Sequence, residues 1–415
     1  MNIGISCIVF ALLFGLNMGF FIYQSLHPAK FFIYINDADR LPNGNTAIRL
    51  GDYLTTIKIA TGHERANCYS AIIEVNPNGD IVWQYSPSDP AHTHIDHEIK
   101  KREFKGRMCY FFTDCLSDSI KFVDRELKQI PWEYWLGDIN WTEVNPSWGE
   151  DHYYNQPDIK DWSHLNDIDF YNYTTWESML LSIRDFDLIV EINLTSAQER
   201  EQAQASDIVW YYGGENNLAC PHNPDYLPNG NIIIVDSDHL RIIEVNMTTK
   251  EIVWEWTNND VMTWPRDCDL MPDGEHFLIT DADETFILDN ITGEVGLRID
   301  FGGYEADYVE ASDTITVEGD TAGMVKEFDA STGGEVWRYG EGGMEQILTV
   351  NLIILIIFEF YLITIIYIKS RSQKWLKSFW GWLKIFLIFV VIALEAFLLF
   401  GYKTINVFFF VHTIC

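Results

Sequence analysis

The chain has 415 residues, with 61 Asp and Glu against 28 Lys and Arg and a formal net charge of −33. Such a surface repels phosphate backbones and excludes nucleic acid as a partner. Apolar residues at 47%, with 15 Trp, 20 Tyr and 26 Phe, exclude a disordered acidic tail and provide for a large core.

Residues 1–24 read as an N-terminal transmembrane anchor, because 4–23 run without a charge. Residues 347–368 and 385–402 read as two further spans, interrupted by Glu359 and Glu395. Each is long enough to cross roughly 30 Å of hydrocarbon as a helix. The first span lacks a basic leader and a small-x-small cleavage site, which favours an uncleaved anchor. Lys369, Arg371, Lys374, Lys377 and Lys384 fall in the 369–384 loop, which the positive-inside rule makes cytoplasmic. The 25–346 region and the 403–415 tail are then expected outside a cell membrane that the chain crosses several times. Sequons at Asn140, Asn172, Asn193, Asn246 and Asn290 agree with an exported region and are candidate glycosylation sites. Glu359 and Glu395 are read as protonated carboxyls facing each other or a neighbour rather than as a polar pathway.

The 25–346 region repeats a unit. Its first half is Asp39-Arg-Leu-Pro-Asn-Gly-Asn45, then Asp225-Tyr-Leu-Pro-Asn-Gly-Asn231, then Asp269-Leu-Met-Pro-Asp-Gly274. Pro fixes φ and Gly takes the left-handed turn position, as a hairpin requires, and β-branched strand residues follow. The second half runs strand, turn, strand with a large residue, as in Glu74-Val-Asn-Pro-Asn-Gly-Asp-Ile-Val-Trp83. It recurs to Trp132, Trp210, Trp254, Glu294-Val and Trp337. Six all-β units of about 40–70 residues predict a six-bladed β-propeller, four strands to a blade. Tandem sandwiches would need units of about 100 residues. The Trp- and Tyr-rich 138–162 stretch reads as an inserted loop on one face, and 195–207 as a smaller insertion.

Five of the seven cysteines (Cys68, Cys109, Cys115, Cys220 and Cys268) fall in this region, and sequence does not give their pairing. Zinc spacing of the CxxC kind is absent, so no structural zinc is expected.

In a propeller, equivalent positions of each unit form a ring about the central channel. Those positions read Asn36-Asp37-Ala-Asp39, His92-Thr-His94-Ile-Asp96-His97, His164-Leu-Asn166-Asp167-Ile-Asp169, His222-Asn223-Pro-Asp225, Arg266-Asp267-Cys-Asp269 and Tyr304-Glu305-Ala-Asp307. Arg184 stands one strand beyond His164. Imidazoles and guanidiniums gathered in an acidic protein suit a small oxyanion, with His as nucleophile, acid or base. The repeated Asp residues are expected to hydrogen-bond turn backbone inside each blade. Arg266 could instead pair with Asp267, and the His92, His94 and Asp96 group could ligate a divalent metal.

Asp161-Trp-Ser-His-Leu-Asn-Asp167, Ser182-Ile-Arg-Asp-Phe-Asp187, His222-Asn-Pro, Leu-Pro-Asn-Gly-Asn and Thr263-Trp-Pro-Arg-Asp-Cys-Asp269 together resemble the arylsulfotransferase family over about residues 35–340. The membrane-anchored archaeal branch is the nearer likeness. The resemblance implies a six-bladed propeller that moves a sulfuryl group from an aryl sulfate to a phenol, without a nucleotide donor and through a sulfurylated histidine. Matched by motif, His222 would be the nucleophile, His164 and Asn166 the family's His-x-Asn, and Arg184 its arginine. One more histidine should come from His92, His94 or His97. Relatives tend to read His-x-His-x-His-Asp there, and His94 is the preferred match. His92 and Arg266 join Asn166 as expected substrate contacts.

No metal or organic cofactor is demanded, and ping-pong kinetics are expected. The partners implied are aryl sulfates, phenols and a lipid bilayer; oligomeric state is not readable. A non-enzymatic surface propeller that binds glycan or protein is the alternative. A quinone-dependent dehydrogenase, suggested by Thr332-Gly-Gly-Glu-Val-Trp337, would need eight blades and a calcium site.

Overall fold

The structure is a computed structural model that describes residues 35–51, 70–89, 92–157, 161–214, 217–319 and 323–340. The expected spans at 4–23, 347–368 and 385–402 and the 369–384 loop lie outside the described residues. Among the described residues, no helix is long and apolar enough to cross a membrane.

Six antiparallel sheets follow one another along the chain, and in each the strands pair in sequence order. They are the six predicted blades of a propeller. Five have four strands. In blade 1 the three named strands are joined by residues 36–40, which run beside Thr46–Gly51 through Ala47 N–H to Asp39 O (2.9 Å) and Arg49 N–H to Asp37 O (3.0 Å). Middle strands such as Ser70–Val75 and Ile232–Asp236 are buried along their whole length, because neighbouring blades cover both faces. Outer strands such as Ile81–Tyr85 are largely exposed.

The repeat's tryptophans hold blade to blade. Trp83 Nε1–H donates to Arg125 O, Trp210 to Met247 O and Trp254 to Asn290 O, each in the next blade. Trp337 Nε1–H donates to Pro77 O at 3.0 Å, joining blade 6 to blade 1 and closing the ring. Arg40 of blade 1 adds an ion pair to Glu327 of blade 6.

The 138–162 insertion is more than a surface loop. Trp141, Trp148, Tyr154 and Trp162 are buried in the largest core cluster, with Phe186. Tyr153 and Trp162 exchange hydrogen bonds through Trp162 O (2.8 Å) and Tyr153 O (2.7 Å), and Tyr154 stacks on Phe186 at 4.1 Å. This aromatic wedge backs the turns that carry His164 and Arg184. Cys109, Cys220 and Cys268 are thiols here.

Candidate functional site

The innermost strand of each blade delivers its ring residues to the axis. Those strands are residues 36–40, Ile99–Phe104, Leu165–Asn172, Pro221–Tyr226, Pro265–Leu270 and Ala306–Val309. Three of them carry a register shift at the site, between Leu165 and Asp167, His222 and Asp225, and Pro265 and Asp267. Such bulges turn side chains out of the regular alternation. His164, Cys220 and Asn223 adopt left-handed φ of 47°, 50° and 36°. Strained backbone held by its surroundings is characteristic of functional sites.

Asn36, His97, Asn166, His222, Arg266 and Tyr304 line one narrow cavity with room for little more than a water molecule. His222 is 4% exposed. Its Nδ1 lies 2.9 Å from Cys220 O and 2.8 Å from Ser237 Oγ, and Ser237 Oγ donates its own proton to Pro265 O at 2.6 Å. Both neighbours of Nδ1 therefore accept, so Nδ1 carries the proton and Nε2 keeps a lone pair. Nε2 makes no hydrogen bond among the described residues. Burial, then the charges of Arg266 and Arg184, hold the His222 pKa well below the usual histidine range. The ring is thus neutral and of fixed tautomer, with an unprotonated Nε2.

A second chain of bonds fixes the other histidines. Arg49 Nη1–H donates to Asn36 Oδ1 at 2.6 Å, which orients the amide. Asn36 Nδ2–H then donates to His97 Nδ1 (3.2 Å), and His97 Nε2 meets His164 Nε2 at 3.1 Å. His164 Nδ1 donates to Asp161 Oδ2 at 3.0 Å. With Nδ1 of His97 accepting and Nδ1 of His164 donating, a single proton occupies the Nε2–Nε2 line. Burial and the neighbouring His164 keep the His97 pKa well below its usual value.

Arg184 is 5% exposed; burial opposes its charge, while Asp185 and Asp161 hold its pKa above the usual value. It is not among the residues that line the cavity, but its charge acts on both His97 and His222. The Arg266 guanidinium lies 3.6 Å from the Tyr304 ring centre and 4.1 Å from that of Trp264. Tyr304 also packs on His97 (5.1 Å) and His222 (6.4 Å). Asn166 Nδ2 donates to Pro221 O at 3.0 Å, so it positions the residue before His222, and its Oδ1 is left facing the cavity without a hydrogen bond.

Two sequence expectations land elsewhere. His94 is 1% exposed with Nδ1 on Asp96 Oδ1 at 2.7 Å, outside the cavity lining; the blade-2 histidine at the cavity is His97. The His92 side chain is 82% exposed and bonded to Asp89. Neither His92 nor His94 meets the other histidines. Tyr304, Asn36, Ser237 and Asp161 belong to the site and carried no assigned role in the sequence reading. Of the sequons, Asn140 and Asn172 are exposed, while Asn193, Asn246 and Asn290 are half-buried in turn hydrogen bonds.

Below the histidines the channel turns acidic. The next residue along five of the six inner strands is Asp37, Glu98, Asp167, Asp267 or Glu305, with Asn223 in the sixth, and the level beyond holds Asp39, Asp169, Asp225, Asp269 and Asp307 with Lys100. These acids do not cap turns inside their own blade, as the sequence had suggested. Asp37 accepts from Ile99 N–H, Asp169 from Tyr226 N–H (3.4 Å) and Asp267 from Ala306 N–H (2.8 Å), each on the next blade. Burial, and then mutual repulsion, raises the pKa values of Asp37 and Asp267; burial lifts that of Asp39 to about 6 and, with repulsion from Asp225, that of Asp169 to about 7.

No curated protein sequence matches the chain. Among solved structures, the chain is similar to virginiamycin B lyase from Staphylococcus aureus (13% identity, TM-score 0.38, 58% of this chain and 68% of that one). It is similar to hydrazine synthase from Kuenenia stuttgartiensis at 15% identity and TM-score 0.32, over 40% of this chain and 46% of that one. A Bacteroides caccae protein of unknown function aligns at 11% identity and TM-score 0.40, over 66% of this chain and 91% of that one. The sequence model of the Arylsulfotransferase (ASST) family matches residues 17–221, a stretch that includes His97, His164, Asn166 and Arg184 and stops one residue before His222.

Proposed function

We propose that the propeller is an aryl-sulfate sulfotransferase in which His222 is transiently sulfurylated. The observation that carries this reading is the His222 ring itself: Nδ1–H is tied to Cys220 O and Ser237 Oγ, leaving a neutral Nε2 in the field of Arg266 and Arg184. The family match over residues 17–221 supports the same substrate class.

Nε2 attacks the sulfur of an aryl sulfate, forming the S–N bond as the S–O bond to the aryl group breaks. The electron pair leaves on the phenolate oxygen, which is protonated by the His97–His164 pair in its singly charged form, the pair having taken up one extra proton from solvent and returning to two neutral imidazoles. In the second half-reaction an acceptor phenol returns that proton to the histidine pair. Its oxygen attacks sulfur, and the S–N bond breaks to restore neutral His222. Arg184 and Arg266 stabilise charge on the sulfuryl oxygens, in a loose transition state that resembles phosphoryl transfer. Tyr304 and Trp264 offer ring faces to the aryl group. The cavity is narrower than a sulfuryl group, so binding displaces the stacked Arg266 side chain.

We also carry forward the reading of residues 4–23, 347–368 and 385–402 as membrane spans with the propeller outside. Protease protection of sealed vesicles tests it, and cleavage of the propeller only after permeabilisation would overturn that orientation.

For the enzyme, the purified chain is incubated with para-nitrophenyl sulfate and its peptides are examined by mass spectrometry under alkaline conditions. An acid-labile 80 Da adduct, about the mass of SO₃, is expected on the His222 peptide and absent in His222→Ala. Phenol release by wild type with no adduct, and with undiminished release in His222→Ala, would defeat the reading.

A further inference from the structure

The acidic level of the channel has a feature that sulfuryl transfer does not use. Asp37, Glu98 and Glu305, from blades 1, 2 and 6, bring carboxylate oxygens within 4.8 Å of one another at 0%, 4% and 9% exposure. The backbone fixes them: Asp37 Oδ2 is held by Ile99 N–H, and Glu305 follows Tyr304 into the axis. Yet Asp37 Oδ1 and Glu305 Oε2 are buried without any hydrogen bond. A separate residue points the same way. Asp267, 1% exposed and lining the same cavity as Glu98 and Glu305, uses Oδ2 for Ala306 N–H and leaves Oδ1 buried with no hydrogen bond. Buried acceptors left in this state each cost about 1–3 kcal/mol, more when ionised.

Lys100 supplies one positive charge, with Nζ 2.8 Å from Glu98 Oε1 and 3.0 Å from Glu305 Oε1. Three carboxylates and one ammonium leave two negative charges. A divalent ion balances them, and oxygen donors without nitrogen or sulfur select a hard ion. Oxygens up to 4.8 Å apart fit opposite sides of an ion with Ca–O distances of about 2.3–2.6 Å. We infer that Asp37, Glu98 and Glu305 bind a single hard divalent cation on the propeller axis, with Ca²⁺ the best fit. The ion would tie blades 1, 2 and 6 together where the ring closes. It would also cancel the negative field beneath a pocket that must admit an anion. The inference rests on the carboxylate geometry and stands whether or not His222 is sulfurylated.

The test uses the full chain, stripped with chelator and titrated with CaCl₂ by calorimetry and thermal melting. A single saturable site and a melting temperature raised by several degrees are expected. Asp37→Asn and Glu305→Gln should each weaken binding by about tenfold or more. In the metal-free state both should melt no lower than wild type, because each replaces a crowded buried carboxyl that leaves one oxygen without a hydrogen bond. Lys100→Met, which removes the competing ammonium, should bind Ca²⁺ more tightly. Absence of saturable binding of Ca²⁺, Mg²⁺ and Mn²⁺ would overturn the inference. So would wild-type affinity in the carboxylate variants, which would place the ion on the acidic surface. Should those variants fail to fold, an unchanged or weakened affinity in Lys100→Met is equally fatal.

Discussion

His97 Nε2 lies 3.1 Å from His164 Nε2, and the outer nitrogens of the two rings are held by Asn36 and Asp161. Under the proposed mechanism the linked rings act as a relay that passes one extra proton, taken from solvent, to a leaving phenolate. The need for that proton depends on the leaving group, and this makes the role measurable. In His164→Ala, turnover of an aryl sulfate with a strongly basic phenolate should fall by about 10²–10⁴-fold. Turnover of para-nitrophenyl sulfate, whose phenolate leaves unaided, should fall far less. The readout is the slope of log rate against phenol pKa, steeper in the variant than in wild type. An equal loss for every donor would remove His164 from proton transfer.

His222 should stay neutral well into acid. Its pKa is held below 6.5 by burial and then by Arg266 and Arg184, all of which disfavour the imidazolium. The sulfurylation rate with para-nitrophenyl sulfate is therefore expected to remain level as pH falls through 6.5. The sign for Arg266→Met follows: removing a positive neighbour raises the His222 pKa, so the acid limb of the profile moves to higher pH. Single-turnover rates across the pH range check both. A limb that stays put in Arg266→Met would mean that the guanidinium acts only on substrate.

Ser237 is a positioning residue for the same ring. Its Oγ accepts from His222 Nδ1–H at 2.8 Å while donating to Pro265 O at 2.6 Å. Ser237→Ala leaves Cys220 O as the remaining acceptor, so the tautomer survives with a looser ring. The sulfurylation rate should drop by about tenfold, roughly the worth of one hydrogen bond, while KM for the donor changes little. Ser237→Thr, which keeps the hydroxyl, should recover most of the rate.

How much of this was legible in the sequence depends on what each residue does. Trp83, Trp210, Trp254 and Trp337 stand at a repeating position because each reaches the next blade, so periodicity exposed the propeller. Gly44, Gly230 and Gly274 stand at φ of 83°, 84° and 71°, as Leu-Pro-Asn-Gly-type turns require. His222 and Asn166 could be placed at the cavity because their ring positions follow from the repeat. The choice between His94 and His97 could not be made, since both stand in the irregular segment before Ile99–Phe104, where no strand alternation fixes which side chain turns inward. Tyr304 and Asn36 are an aromatic and an amide in ordinary strand contexts; only their convergence marks them. The acids of the channel were visible as a repeat but assigned to turns, because cross-blade bonds such as Asp267 to Ala306 join residues 39 apart. The apolar character of Trp141, Trp148 and Trp162 was the available signal that the 138–162 insertion is core.

Closure of the ring offers a stability test separate from the chemistry. Trp337 Nε1–H to Pro77 O is the same bond that joins other blades, but it connects the ends of the propeller. Trp337→Phe keeps a ring face beside Arg40, whose guanidinium lies 4.8 Å from the indole, and deletes the donor. The lost bond is worth about 1 kcal/mol. Trp254→Phe deletes the equivalent bond to Asn290 inside the array, where flanking blades still clamp the joint. Opening the first and last blades is the earliest step by which a propeller can unravel, so Trp337→Phe should speed unfolding more than Trp254→Phe at equal loss of equilibrium stability. Stopped-flow unfolding in guanidinium chloride measures the difference. Equal unfolding rates would show that the 6-to-1 joint is no weaker than its neighbours, with the Arg40–Glu327 ion pair then the stronger clasp.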